Sequence, residues 1–197
     1  MKKLILVTSP PASGKTYVSK KLAQALSHVV YLDKDTLIPL SKQIFVVAGE
    51  EYNRSSDFFN KNIRDYEYET IVALALEALE YDNIVLINAP FTQEIRNPAY
   101  ITALKTKLKE KGASLVVVWV ITEIDVIRQR MIARNSDRDT WKIAHWSEYI
   151  AGCNFDIPIA LDDPHVRDDL LIFKNSSEEE FQSSLKKTLD ILEETSK

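Results

Sequence analysis

Short apolar blocks alternate along the chain with stretches in which apolar positions recur every three or four residues. The blocks are Lys3–Thr8 (KLILVT), Val29–Leu32, Ile84–Asn88 (IVLIN), Leu115–Ile121 (LVVVWVI) and Leu170–Phe173. Near-continuous apolar runs of this length suit strands covered on both faces. Between them Val18, Leu22, Ala25 and Leu26 fall at helical spacing, and Thr36–Ala48 reads as mixed and helical. Gly49–Asp57 is a polar break. The pattern then predicts one long helix over Asn60–Tyr81, burying Ile63, Tyr66, Ile71, Leu74, Ala78 and Leu79. Ile101, Leu104 and Leu108 mark a helix closed by Gly112. A capping box at Thr122–Asp125 opens another, with Ile124, Ile127 and Met131. Asn135–Asp169 is polar and irregular, with one or two short helices. Ser177–Glu180 caps a last helix carrying Phe181, Leu185, Leu189 and Leu192, and Thr195–Lys197 reads as frayed. Strands alternating with helices predict an α/β fold: a parallel sheet with helices on both faces.

Composition narrows the function classes. The 197 residues suffice for one domain, and 1–197 is read as one. A net charge of −4 gives no electrostatic case for nucleic acid or an anionic membrane. The single cysteine, Cys153, excludes an intramolecular disulfide and a multi-cysteine zinc site. His28, His145 and His165 lack ligand spacing and read as surface or packed imidazoles. Met1-Lys2-Lys3 and the apolar residues after it resemble a signal peptide, but the run is too short. No stretch approaches the ~20 apolar residues of a membrane helix, so a cytoplasmic location is expected.

The chemistry concentrates at Ser9–Thr16 (SPPASGKT), directly after the first apolar block. It ends as the phosphate-binding pattern G-x-x-x-x-G-K-[ST] does, with Ser9 in place of the first glycine. In such a loop backbone N–H groups and the following helix N-terminus cradle phosphates, the lysine reaches the outer phosphates and the hydroxyl holds Mg²⁺. Pro11, Ala12, Ser13, Gly14, Lys15, Thr16 and Tyr17 are therefore the candidate nucleotide contacts, with Thr16 toward the metal. If Ser9 needs a left-handed backbone, the departure costs about 1–2 kcal/mol, small against the roughly 8 kcal/mol of micromolar nucleotide binding.

Pro11, Ser13, Gly14, Lys15 and Thr16 match the G-x-P-G-S-G-K-[ST] loop of small P-loop kinases, with Ser9 and Ala12 replacing glycines. Tyr31–Pro39 (YLDKDTLIP) resembles the D-x-D segment of gluconate and shikimate kinases. The chain is thus similar to small-molecule kinases of the nucleoside-monophosphate-kinase-like superfamily, a group often described as AAA-family ATP-binding proteins. The resemblance implies a three-layer fold with a five-stranded sheet in the order 2-3-1-4-5 and a helical lid at about 123–150. It implies ATP and Mg²⁺ as cofactors, Asp35 as the base on the acceptor hydroxyl, and Asp33 as a second metal-side group. It also implies that Arg130 and Arg134, ahead of Arg128 and Arg138, reach the transferring phosphoryl group. Asn175 would pass the adenine ring. In an extended chain Asp33 and Asp35 share a side; the alternative for the pair is a helix N-cap and a surface charge. Asn88 stands where a Walker B strand usually ends in Asp.

The stretch after Asp35 is where such kinases recognise the acceptor. Arg54 and Arg64 are candidates for a carboxylate or phosphate on it, with Tyr52, Asn53 and Tyr66 nearby; for Arg64 a surface salt bridge with the neighbouring Asp65 or Glu67 is at least as open. Trp141, Trp146 and Tyr149 either close the site or belong to the core. The expected partner is a small-molecule acceptor, without membrane or nucleic acid. Two alternatives stay open: a polynucleotide or nucleotide-sugar kinase of the zeta-toxin type, and a nucleotide-binding regulator without phosphotransfer.

Overall fold

The computed structural model describes residues 2–157 and 170–194, apart from the side chains of residues 137, 138 and 194. The expectations for His165, for the end of the irregular stretch, for Thr195–Lys197 and for the side chain of Arg138 lie outside the described residues.

Five strands form one parallel sheet: β1 (Lys2–Thr8), β2 (Val29–Asp33), β3 (Ile84–Asn88), β4 (Ala113–Ile121) and β5 (Leu170–Lys174), in the order β2-β3-β1-β4-β5. The expected α/β fold and strand order are both found. Each strand pairs in parallel with its neighbour, so Thr8, Asp33, Asn88, Ile121 and Lys174 end at one edge. Ligands of open α/β sheets bind beyond this carboxyl edge. The apolar runs are continuous because both faces are covered. Leu4, Leu6, Val85, Ile87, Val117 and Trp119 pack under helices α4 (Arg64–Tyr81) and α5 (Pro98–Glu110). Ile5, Val7, Leu86, Val118 and Phe173 pack under α1 (Lys15–Ala25) and α9 (Glu178–Glu194).

The remaining helices are α2 (Ile38–Ala48), α3 (Asp57–Asn62), α6 (Ile124–Arg134), α7 (Asp137–Ala144) and α8 (Trp146–Ala151). The long helix expected over Asn60–Tyr81 is in fact two. Ile63 leaves helical geometry at φ −131° and ψ −46°, and joins α3 to α4. The buried face also rotates: Ile71 and Leu79 are buried, but Tyr68, Val72 and Ala75 join them while Tyr66 and Leu74 are exposed. Apolar spacing alone did not separate the two faces because both carry large apolar residues. The capping box expected at Thr122 does not form. Its hydroxyl donates instead to the carbonyls of Ser13 (3.0 Å) and Asn175 (3.4 Å). The cap of α9 does form: Ser177 Oγ accepts from the Glu180 N–H at 3.2 Å, and the Glu180 carboxylate accepts from the Ser176 N–H at 2.9 Å. No helix among the described residues is long and apolar enough to cross a membrane.

Candidate active site

The phosphate loop connects β1 to α1. Gly14 sits at φ +83° before the first turn of α1. An added Cβ there would lie 2.5 Å from Asn175 Nδ2, so both backbone and space require glycine. Ser9 is absent from the left-handed residues; Ala12 holds that conformation instead, at φ 61°. The strain considered for Ser9 thus falls on Ala12, the other position where a glycine of the pattern is replaced. Ser9 is buried, and its hydroxyl donates to the Pro10 carbonyl at 2.7 Å. Ser13 Oγ donates to the same carbonyl at 3.1 Å. From the far side, Asn175 Nδ2 donates to the Ser13 carbonyl at 2.8 Å. Asn175, expected at the adenine ring, uses its Nδ2 to hold this loop and lines a pocket beside it with Gly14, Tyr17, Arg130 and Phe181.

Asn88, at the end of β3, joins the two halves of the site. Its Oδ1 accepts from Lys15 Nζ at 2.5 Å and from Ser19 Oγ at 3.2 Å. Its Nδ2 donates to Asp33 Oδ2 at 2.8 Å and reaches Thr16 Oγ1 at 3.3 Å. Replacing the expected aspartate by asparagine supplies both an acceptor for Lys15 and a donor for Asp33. Burial holds the Lys15 ammonium below its ordinary pKa, while Asp33 and Asp35 pull it back up. Tyr31 also donates to Asp33 Oδ2, at 3.0 Å, and its phenol is held well above its ordinary pKa by burial and this carboxylate.

The chain does not stay extended through the D-x-D segment. Asp33 ends β2, and Lys34–Leu37 turns as a 3₁₀ helix whose Asp35 N–H donates to Asp33 Oδ1 at 3.0 Å. Asp33 is therefore an N-cap as well as a neighbour of Thr16 and Lys15. Asp35 still lines the cleft above the phosphate loop. That cleft, of ≈ 720 Å³, is also bordered by Lys15, Thr16, Pro90, Arg130 and Arg134. Tyr17 lines it too, with its exposed ring 5.2 Å from that of Phe181.

The two arginines of α6 differ. Arg130 overhangs the loop, with Nη1 3.6 Å from the Cβ position of Gly14, buried and without a hydrogen-bond partner. Arg134 is bound to Asp139 through Nε (2.9 Å) and Nη2 (2.5 Å), and Lys142 approaches the same carboxylate at 3.3 Å. Burial would raise the Asp139 carboxyl, but the two cations outweigh it and hold it low. Arg128 is turned away over the Trp146 ring. Trp141 is exposed and stacks on His145, and Trp146 packs on Tyr149; the fully buried tryptophan is Trp119.

The two arginines expected to meet an acceptor are also committed. Arg54 grips Glu67 with two bonds of 2.7 Å. Glu67 further accepts from Lys34 at 2.6 Å and Ser41 at 2.5 Å. Burial alone would raise the Glu67 carboxyl, but these donors prevail and bring its pKa down to about 2. Arg64 binds Glu94 at 2.7 Å and Asp65 at 2.8 Å. Of the two partners expected for Arg64, Asp65 is found and Glu67 is taken by Arg54 and Lys34; Lys34 and Ser41 carry no local pattern that marks them as partners of Glu67.

This sheet order, with a glycine–lysine–threonine turn between the central strand and the first helix, defines the P-loop kinase class of fold. The chain belongs to the AAA-domain family, whose model matches residues 4–154. Solved structures agree on the fold. A Chloroflexus aurantiacus protein designated a candidate kinase is 19% identical with a TM-score of 0.62, covering 98% of this chain and 97% of its own. Shikimate kinase from Bacteroides thetaiotaomicron is 17% identical with a TM-score of 0.51, covering 98% of each chain. Chaetomium thermophilum Kti12, in complex with ADP-AlF3, is 17% identical with a TM-score of 0.51, covering 95% of this chain and 98% of its own. No curated protein matches the chain in sequence.

Proposed function

We propose that this protein is an ATP- and magnesium-dependent phosphotransferase that moves the γ-phosphate to a hydroxyl of a small molecule. The carrying observation is that Lys15, Asp35 and Arg130 border a single cleft at the carboxyl edge of the sheet. The residues fit the nucleotide: Gly14 leaves the backbone open, Lys15 is desolvated, and Arg130 keeps a buried, unpartnered donor over the loop. An unpaired buried donor costs about 1–3 kcal/mol, a cost that a phosphate oxygen removes. Thr16 and Asp33 would hold magnesium, which neutralises phosphate charge when bound. The likeness to Kti12 in complex with ADP-AlF3 and to shikimate kinase supports the reading at the level of fold.

In this reading Asp35 accepts the proton of the acceptor hydroxyl as its oxygen bonds to the γ-phosphorus and the bond to the departing ADP oxygen breaks. Lys15 and Arg130 meet the negative charge on the phosphoryl oxygens. Arg134 serves through Asp139, fixing the segment that carries Arg130, unless it exchanges that carboxylate for phosphate. Pairing of Arg54 with Glu67 and of Arg64 with Glu94 favours an acceptor recognised by shape and hydroxyls, without a charge on the acceptor to meet them. A panel of hydroxyl-bearing metabolites, scored for acceptor-dependent ADP release, tests the proposal. The wild type should turn over at least one, and Asp35→Asn should lose that turnover while binding MgATP normally. Undiminished turnover in Asp35→Asn would remove the base from this account.

A further inference from the structure

A second cavity, of ≈ 440 Å³, runs between α4 and α5, away from the phosphate loop. Its size falls within the range of small-molecule sites. Val72, Ala73 and Leu76 from α4 give it an apolar wall, and Tyr100 from α5 faces them. Glu94 closes one end. It is buried, and only one of its oxygens is used: Oε1 accepts from Arg64 at 2.7 Å. Oε2 is shielded from solvent and has no partner. A buried carboxylate oxygen without a donor is costly, and a charged donor satisfies it best.

The charges agree. Asp65, Glu69 and Glu94 line the cavity against Arg64 and Lys107, three carboxylates to two cations. Arg64 is already divided between Asp65 and Glu94 and stacked over Tyr68, 4.5 Å from its centroid. Burial first, and Glu94 second, push the Tyr100 phenol up to about 12, so it stays protonated and its ring keeps a neutral face for a cation.

We propose that the α4–α5 groove is a second ligand site, for a small molecule with an ammonium or amidinium head on an apolar body. The head meets the Glu94 carboxylate, where a turn of the side chain presents Oε2 to the cavity, and the body lies against Val72, Ala73, Leu76 and Tyr100. The site does not depend on the phosphotransferase reading. It shares a wall with the phosphate cleft, because the Tyr68 hydroxyl donates to the Pro90 carbonyl at 2.9 Å and Pro90 lines that cleft.

Titration of the ¹⁵N-labelled protein with benzylammonium, and separately with benzyl alcohol, tests this. Benzylammonium should bind at about 1 mM, with saturable shifts at the amides of Val72, Ala73, Leu76 and Asn97. Saturating MgATP should not displace it. Benzyl alcohol should bind roughly tenfold more weakly, as should benzylammonium to Glu94→Gln, because the charge-assisted bond is lost. Ala73→Leu fills the groove from an exposed helical position without touching the Glu94–Arg64 pair, and should also block binding. Absence of saturable shifts at these amides, displacement by MgATP, or equal affinity for the alcohol or for either variant overturns the proposal.

Discussion

The phosphate loop and the ion pairs around α4 treat cations in opposite ways. On the phosphate side, the polar groups await something: Arg130 Nη1 is buried with no partner, and Lys15 leans on a neutral asparagine. Around α4, away from the residues that line the cleft, cations are already matched to carboxylates, with Arg54 and Lys34 on Glu67 and Arg64 on Glu94. An unpaired buried cation is tolerable where an anion arrives in each cycle; a paired one holds the frame rigid. Arginines near a site therefore signal a ligand only when their partners are missing.

The sharpest break in this comparison comes from Asp35→Asn. Removal of a general base lowers turnover about 10²–10⁴-fold, which acceptor-dependent ADP release measures against unchanged MgATP affinity. Next is Glu67→Ala. It strands Lys34 in a buried position and leaves the partly exposed Arg54 without its carboxylate, and urea unfolding should record a loss of about 3–5 kcal/mol. A stability loss of that size would mark Glu67 as framework; a small loss with collapsed turnover would move it to the phosphate side's category.

Acid gives a related and slightly smaller effect. Glu67 has a folded pKa of about 2 against an ordinary 4.5. The depressed value means that its stabilisation is fully present above the unfolded pKa and is lost as pH falls through the folded one. A shift of this size corresponds to about 3 kcal/mol, lost between roughly pH 5 and pH 2. Urea midpoints followed down that range should fall more steeply for the wild type than for Glu67→Gln. The smallest effect sharpens the loop itself. Ala12→Gly relieves a left-handed alanine but loosens the unfolded chain, so stability should rise by no more than about 1 kcal/mol, with MgATP binding retained. Ser9→Gly should give no such relief.

The same contrast explains what could be read in the sequence. The loop was legible because Gly14-Lys15-Thr16 and the flanking strand and helix are contiguous, and the strands were legible as apolar runs. The pairs around α4 were not, since Lys34–Glu67 and Arg64–Glu94 join residues 33 and 30 positions apart without a pattern. The start of α3 did leave a sign: Ser56 Oγ accepts from the Phe59 N–H at 3.1 Å, an N-cap set before Asp57 inside the stretch read as a polar break. Thr122 shows the opposite case. Its local sequence fits a capping box, yet tertiary contact with Ser13 takes the hydroxyl.

The central claim, that this loop binds MgATP with Ser9 and Ala12 in place of glycines, is tested most directly by thermal unfolding with and without MgATP, for wild type and Lys15→Ala. Ligand at about 100-fold its dissociation constant stabilises by about 2.7 kcal/mol, or roughly 5–10 °C for a chain of this size. The account predicts that shift in the wild type and its loss in Lys15→Ala. No shift at millimolar MgATP, or an equal shift in both proteins, would contradict it.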